Sequence, residues 1–426
     1  MAPDPIFMTH SSHPTSSWQL VLHQLCGWSA VALVFAAPVS RSLFLAASLL
    51  YVLSWVGLGQ FRLKFSFAKA VPVSAPLVLL AGIVALWAAF SSAPTGDVVN
   101  NLKVYSKLLL VVMLAVTFAD PHWRNRAWTA FTFSMGIVLA STYANVFVNL
   151  PWSYTQNQGF GADHSVFVEY VSQSVMTAIF MAMALHKFTC NTDPKLRVVW
   201  ALAAAAALGS VLFLLKGRSG LVAMAVVIAT FLILHTPRSR RWRTAFGVAL
   251  LGAALVASSP LMKERLKAGY QDVATYQSFQ DSSLGLRMDM WKLAFNRMLE
   301  HPIVGTGSGT YHQIAAQHFG HCEFTCTHPH NQYLFFGMEY GLIGLGAYLW
   351  LLWRLLGMAR RSTAPERGML FALVAVLAVD SLFNVPMWYR AQSYFFYVML
   401  GLLVASNLPA ACQTAAVRLK PCKPEA

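Results

Sequence analysis

His330 carries the side chain best suited in this chain to move a proton. It closes the run Thr327-His328-Pro329-His330-Asn331-Gln332-Tyr333, which leads directly into a membrane-length apolar stretch. An imidazole has an ordinary pKa of about 6.5, so it can take a proton near neutral pH. A histidine at such an edge is also often a hydrogen-bonded packing residue. His328 can share or support the role. Pro329 has a fixed φ and keeps His328 extended, so the two rings need not face the same way.

Negative charge has its own candidate partners. Lys216 and Arg218 lie in Leu215-Lys216-Gly217-Arg218-Ser219-Gly220, a tight turn between two apolar runs. One reading makes them snorkelling helix ends. The other makes the turn an anion site: Gly217 and Gly220 let backbone approach a ligand, Ser219 caps the next helix, and the Arg218 fork matches phosphate oxygens. Arg287, in Leu286-Arg287-Met288-Asp289, is either a solvated partner of Asp289 or a second such ligand. Asp380 sits near the end of an apolar run, where carboxylates are functional by default, and Arg390 is its expected partner. Glu169 and Glu339 are weaker cases; Glu339 is nine residues beyond His330, near the opposite face of a helix.

Several chemistries lack their residues. His318, His321, Cys322, Cys326, His328 and His330 crowd one region, but their spacing fits no standard zinc pattern. If this region lies outside the cytoplasm, Cys322 and Cys326 are expected to pair as a disulfide. The outer segments hold no Asp-x-Asp pair for a divalent cation on a diphosphate, and the chain has no Walker-type glycine loop. The energy for a reaction must then come from the substrate.

The elements that position these residues are membrane helices. Hydrophobic residues make up 57% and charged residues 11%, with mean hydropathy +0.54; a soluble domain would carry about a quarter charged residues. The apolar runs are continuous, and backbone in lipid must satisfy itself, so helices are expected. About twelve spans fit the ~20-residue criterion: 20–39, 42–59, 71–90, 104–119, 127–149, 165–188, 197–215, 219–235, 244–259, 332–355, 367–384 and 393–409. The fourth, eighth and ninth are short enough that one is a candidate re-entrant segment. The formal charge of +15 falls in short clusters between runs. That is a topology signal and argues against nucleic acid as a partner. Arg62, Lys64 and Lys69; Arg124 and Arg126; Arg238 to Arg243; and Arg354 to Arg367 mark inside loops. The outside loops hold only Arg41, Lys103, Lys107, Lys216, Arg218 and Arg390 among the short ones. Both tails, 1–19 and 410–426, are then cytoplasmic. Residues 20–259 carry nine spans, 260–331 form one long outside loop, and 332–409 carry the last three. Within that loop, 286–300 patterns as a helix with Asp289, Lys292, Asn296 and Glu300 on its polar face.

His330-Asn331, nine residues, then Gly341-x-x-Gly344 resembles the signature of bacterial O-antigen ligases. These are grouped with O-antigen polymerases and some O-linked oligosaccharyltransferases. Arg287 with Trp291, followed by His301-Pro302-Ile303-Val304-Gly305-x-Gly307, is similar to that family's loop. The resemblance is strongest over 210–345. It implies an all-α polytopic fold akin to GT-C-type glycosyltransferases, at the periplasmic face of a Gram-negative inner membrane. The implied donor is O-antigen on undecaprenyl diphosphate, and the implied acceptor is lipid A–core oligosaccharide. Transfer would be inverting, without metal, cofactor or nucleotide sugar, and the apolar spans, among membrane lipids, would hold the polyprenyl tail. Carried over by motif, His330 is the general base and Arg218 and Arg287 stabilise the departing diphosphate. Lys216, His328, Asn331, Asp380 and Arg390 are supporting substrate-binding positions. An O-antigen polymerase uses the same donor; the single long loop with this motif favours the ligase. A lipid-linked oligosaccharide transporter is the rival from another class, but the chain shows no internal repeat or paired broken spans.

Overall fold

The computed structural model describes residues 17–408 except 157, 259–262, 265–266, 268–269, 272–282 and 321–324. The expected C-terminal tail, most of the N-terminal one, Cys322 and much of the first part of the 260–331 loop lie outside the described residues. Among the described residues every regular element is a helix: α1 (Ser17–Ala36), α2 (Arg41–Gly57), α3 (Phe61–Ala70), α4 (Ser74–Ala89), α5 (Thr95–Tyr105), α6 (Leu108–Phe118), α7 (Pro121–Ala144), α8 (Tyr170–Cys190), α9 (Pro194–Phe213), α10 (Arg218–His235), α11 (Arg241–Ser258), α12 (Ser283–Glu300), α13 (Thr310–Phe319), α14 (Gln332–Arg361), α15 (Arg367–Asp380) and α16 (Arg390–Ser406).

Each apolar run expected to span falls on a helix. Among the described residues, five helical segments are individually long and apolar enough to cross a membrane, or six if α2 and α3 count as one bent span. The chain is a multi-pass, all-helical membrane protein. Leu49, Leu53, Phe133, Leu202 and Trp353 are all at least 60% exposed, as lipid-facing side chains should be. The starts are set by local chemistry. Ser40 caps α2 by accepting from the Leu43 N–H, and Asp120 and Asp193 cap α7 and α9 just ahead of a proline.

Three local readings change. The segment 61–70 is a helix of its own, bent 114° from α2, with the Lys64 ammonium donating to the Trp55 carbonyl and lying over its ring. The fourth run begins earlier than its hydropathy suggests, as α5, and breaks at 106–107 before α6. Helix α8 begins at Tyr170 because Glu169 accepts from the Ser172 N–H as its cap.

Helix α16 is the axis of the bundle, buried from Gln392 to Ser406. Gly401 lets it close on α6: a Cβ there would stand 2.7 Å from the Leu114 Cβ.

Helix α14 is broken at Gly341, which has φ 62° and ψ −161°. Only glycine occupies that region readily. The break frees backbone groups, and the segment 302–307 takes them up: Thr306 N–H donates to Met338, Gly307 N–H to Glu339, and Leu342 N–H to Pro302. The Gly341-x-x-Gly344 spacing is therefore a device for crossing the loop over a helix. A methyl at Gly341 would also stand 2.2 Å from the Ile303 carbonyl oxygen. Gly341→Ala should destabilise the fold by more than the ~1–3 kcal/mol of strained backbone alone. The melting temperature of detergent-purified protein checks this, with Gly346→Ala, where a methyl meets nothing within 4 Å, as the neutral control.

Candidate active site

The ends of α8, α10, α14, α15 and α16 that carry the chemistry gather at one end of the bundle. Helix α14 is pinned there first. Asn331 caps it by accepting from the Leu334 N–H, and its amide donates to the Leu382 carbonyl. Gln332 is fully buried; its amide donates to the Tyr105 hydroxyl, its side-chain oxygen accepts from the Met387 N–H, and its own N–H donates to Ser381. The residue ahead of this anchor, His330, has a positive φ of 50°. That left-handed backbone is uncommon for a non-glycine residue and marks a constrained site.

The two histidines form a pair. Their ring centroids are 4.2 Å apart, edge to face, and the His328 Nδ1 accepts from the His330 N–H. A neutral His328 therefore carries its proton on Nε2. His328 is buried against Trp388 and Tyr389, and His330 is half-buried. Burial first, and the Arg287 charge second, push the His328 imidazole down to about 3. Burial, His328 and Arg287 together hold His330 well below the ordinary histidine value. Both are neutral at pH 7.

Arg287 on α12 stands beside this pair. Its charge is felt by both histidines, and it lies within electrostatic reach of Tyr170 at the start of α8, Arg218 at the start of α10 and Asp380 at the end of α15. Burial lowers its pKa most; Tyr170 raises it, Arg218 lowers it and Asp380 raises it. The guanidinium stays charged. Among the described residues its buried Nε and the Asp380 Oδ2 meet no partner in hydrogen-bond geometry, with Gln392 beside the carboxylate. Buried polar atoms are nearly always paired, so two such atoms in one cluster mark a place built for a polar ligand.

Asp380 is held by Asn384, whose amide donates to its Oδ1 at 2.6 Å and to the Ser219 hydroxyl at 2.9 Å. This ties α15 to α10. His328 also lines a cavity of about 610 Å³, with Glu339, Trp388, Tyr389 and Arg390 in its walls.

Residues 202–349 match the family model described as O-antigen ligase. Over that segment the chain is similar to the O-antigen ligases. The match takes in Lys216, Arg218, Arg287, His328, His330 and the Gly341 break, and stops short of Asp380 and Arg390. A protein of Haemophilus influenzae described only as uncharacterised is 27% identical over 143 residues, 31% of this chain and 36% of that protein. The chain thus aligns with about a third of that relative's length. One solved chain, from work on how a peptidoglycan synthase complex coordinates polymerization and crosslinking, aligns with 78% of this chain and 95% of its own length. It is 15% identical, with a TM-score of 0.43, too low to carry an argument.

The fold brings His330, His328, Arg287, Arg218 and Asp380 into one cluster. It separates others. Arg390 does not pair with Asp380: it is exposed at the start of α16 and donates to the Asn100 side chain. Asp380 is buried and held by Asn384. Ser219 caps nothing, since α10 begins at Arg218 with Gly217 as its cap. Gly217 and Gly220 serve packing, because a Cβ at either would fall within 2.6 Å of the Ser174 side chain on α8. Lys216 is half-buried, its N–H given to Asp163. Asp289 is buried, off the solvated face expected for it.

Glu339 also moves. His330 lies outside α14, so counting helical turns from it misplaces the carboxylate. Glu339 is fully buried, accepts from the Asn101 amide and the Tyr311 N–H, and lines the same cavity as His328. Cys326 is in a disulfide, while Cys322 lies outside the described residues. Tyr170, Asn384, Trp388 and Tyr389 are site residues the sequence reading did not single out. The only signal for the last three is a short polar and aromatic stretch around Pro386 between two apolar runs.

Proposed function

We propose that this protein transfers O-antigen from undecaprenyl diphosphate to lipid A–core oligosaccharide at the periplasmic face of the inner membrane. The observation that carries the reading is the neutral histidine pair beside the buried, incompletely paired Arg287, inside the segment matched to O-antigen ligases.

In this mechanism Arg287 and Arg218 hold the donor diphosphate. The sugar acceptor lies against His328, one ring's breadth from His330. His330 takes the proton of an acceptor hydroxyl. That oxygen attacks the anomeric carbon from the face opposite the diphosphate. The new C–O bond forms as the old one breaks, and its electron pair leaves on undecaprenyl diphosphate, with inversion. Arginines aimed at the growing charge supply the stabilisation that a divalent ion gives elsewhere. Asp380 offsets part of the Arg287 charge. In this reading the chain has twelve spans with both termini cytoplasmic, and the site faces outward.

Substrate also strengthens the base. In the empty site burial, His328 and Arg287 together hold His330 neutral; a bound diphosphate offsets the arginine's share and raises the imidazole's basicity. The acid limb of kcat/KM, which reports free enzyme, should therefore lie well below pH 6.5. An ordinary imidazole would lose roughly tenfold by pH 5.5; this enzyme should lose little. The acid limb of kcat should sit higher than that of kcat/KM. A pH–rate profile checks both.

Acceptor competition tests the reading against the polymerase. Purified protein given labelled lipid-linked donor with equal lipid A–core and unlabelled lipid-linked O-antigen should label the core. Label appearing only in lengthened lipid-linked chains would overturn it.

A further inference from the structure

We infer that the cavity beside His328 binds an anionic group, a phosphate or carboxylate, on the glycan of the acceptor, through Arg41 and Arg390 with Lys107 beneath them; this rests on the transfer reading above. The cavity is separate from the arginines assigned to the donor. Arg41, at the start of α2, and Arg390, at the start of α16, both line it. Lys107 lies behind one wall, with its ammonium 5.1 Å from the centre of the Tyr394 ring. Arg390 and Arg41 both act electrostatically on Lys107, so three cations share one corner.

None of the three has an acidic partner within salt-bridge distance among the described residues. The carboxylates of the cavity are already engaged. Asp97 pairs with His312 at 3.0 Å, Glu169 caps α8, and Glu339 is held by Asn101 and the Tyr311 N–H. Arg390 spends one N–H on Asn100, and Lys107 donates to the Lys103 carbonyl; both partners are neutral. Three like charges gathered at one corner, none of them paired with a carboxylate, favour an anion among them. Arginine forks suit a phosphate or carboxylate.

The rest of the lining says what carries the charge. Tyr154, Trp388, Tyr389 and Tyr394 give the cavity aromatic faces, on which a sugar ring can lie. His328 lines the cavity and touches His330. A sugar anchored by its anion at Arg41 and Arg390 thus points toward the base. The donor anion and the acceptor anion would lie on opposite sides of the histidine pair.

The test is binding of lipid A–core to purified full-length protein in neutral phosphatidylcholine nanodiscs. The probes are the native glycolipid and the same molecule stripped of its glycan phosphates and carboxylates. Wild type should bind the native form more tightly. Arg41→Gln and Lys107→Gln should each weaken it about tenfold, leave the stripped form unchanged, and leave donor binding unchanged. Equal loss for both probes, or no preference in wild type, would overturn the inference while leaving transfer intact. Competition by phosphatidylglycerol, removed by Arg41→Gln, would also overturn it, by showing that a lipid headgroup is the occupant. Donor binding with no acceptor binding by wild type would instead sink the transfer reading and this inference together.

Discussion

His330→Ala is expected to lower glycan transfer by about 10²–10⁴-fold while donor binding persists. The size follows from the proposed role, since a positioned base contributes that much and water is a poor substitute. Retained binding follows from the geometry. The diphosphate is assigned to Arg287 and Arg218, and the imidazole contributes no charge at neutral pH because burial, His328 and Arg287 keep it unprotonated. Helix α14 should survive the change, because its anchors are Asn331 and Gln332, whose partners lie on α5 and beyond α15. A rate measured at saturating donor, with a separate donor-binding isotherm, checks both halves. Near-normal transfer would make His330 a packing residue. Loss of donor binding in step with transfer would move it from base to ligand.

Arg287→Gln should cost about 10²–10³ in kcat, the usual loss for one donor aimed at developing charge. Glutamine keeps much of the bulk on α12 and can still offer a hydrogen bond, but it carries no charge. The same change should raise the basicity of both histidines, which feel the Arg287 charge as a repulsion. The acid limb of kcat/KM should therefore move up toward pH 6.5 in the variant. The shifted limb reports the Arg287 charge beside the base, and the fall in kcat reports its work on the leaving group. Arg287→Lys should recover only part of the rate, because an ammonium lacks the fork.

How far the sequence carried the account depends on the range of the interactions involved. The helices were legible because hydropathy is local; every expected apolar run lies on a helix. The histidine and arginine candidates were legible because each is an ionisable residue at the edge of such a run. Pairings across the bundle were not. Arg390 is close to Asp380 in sequence, yet the turn through Asn384 and Pro386 sends it toward Asn100 while Asn384 takes the carboxylate. Gly217 and Gly220 looked like room for a ligand, but the space is filled by Ser174 from a helix more than forty residues earlier. Gly341 could be read only as a small residue; its positive φ exists because 302–307 crosses the helix there. Glu339 was misplaced because helical counting began outside the helix.

The most direct test of the central claim is the stoichiometry of one reaction. Purified wild-type protein in nanodiscs, given lipid-linked O-antigen and lipid A–core in the presence of a chelator, should release one undecaprenyl diphosphate per glycan joined to the core. Without acceptor it should release almost none. Release that ignores the acceptor, or transfer that needs an added divalent ion, would contradict the assignment of proton removal to His330 and leaving-group stabilisation to Arg218 and Arg287.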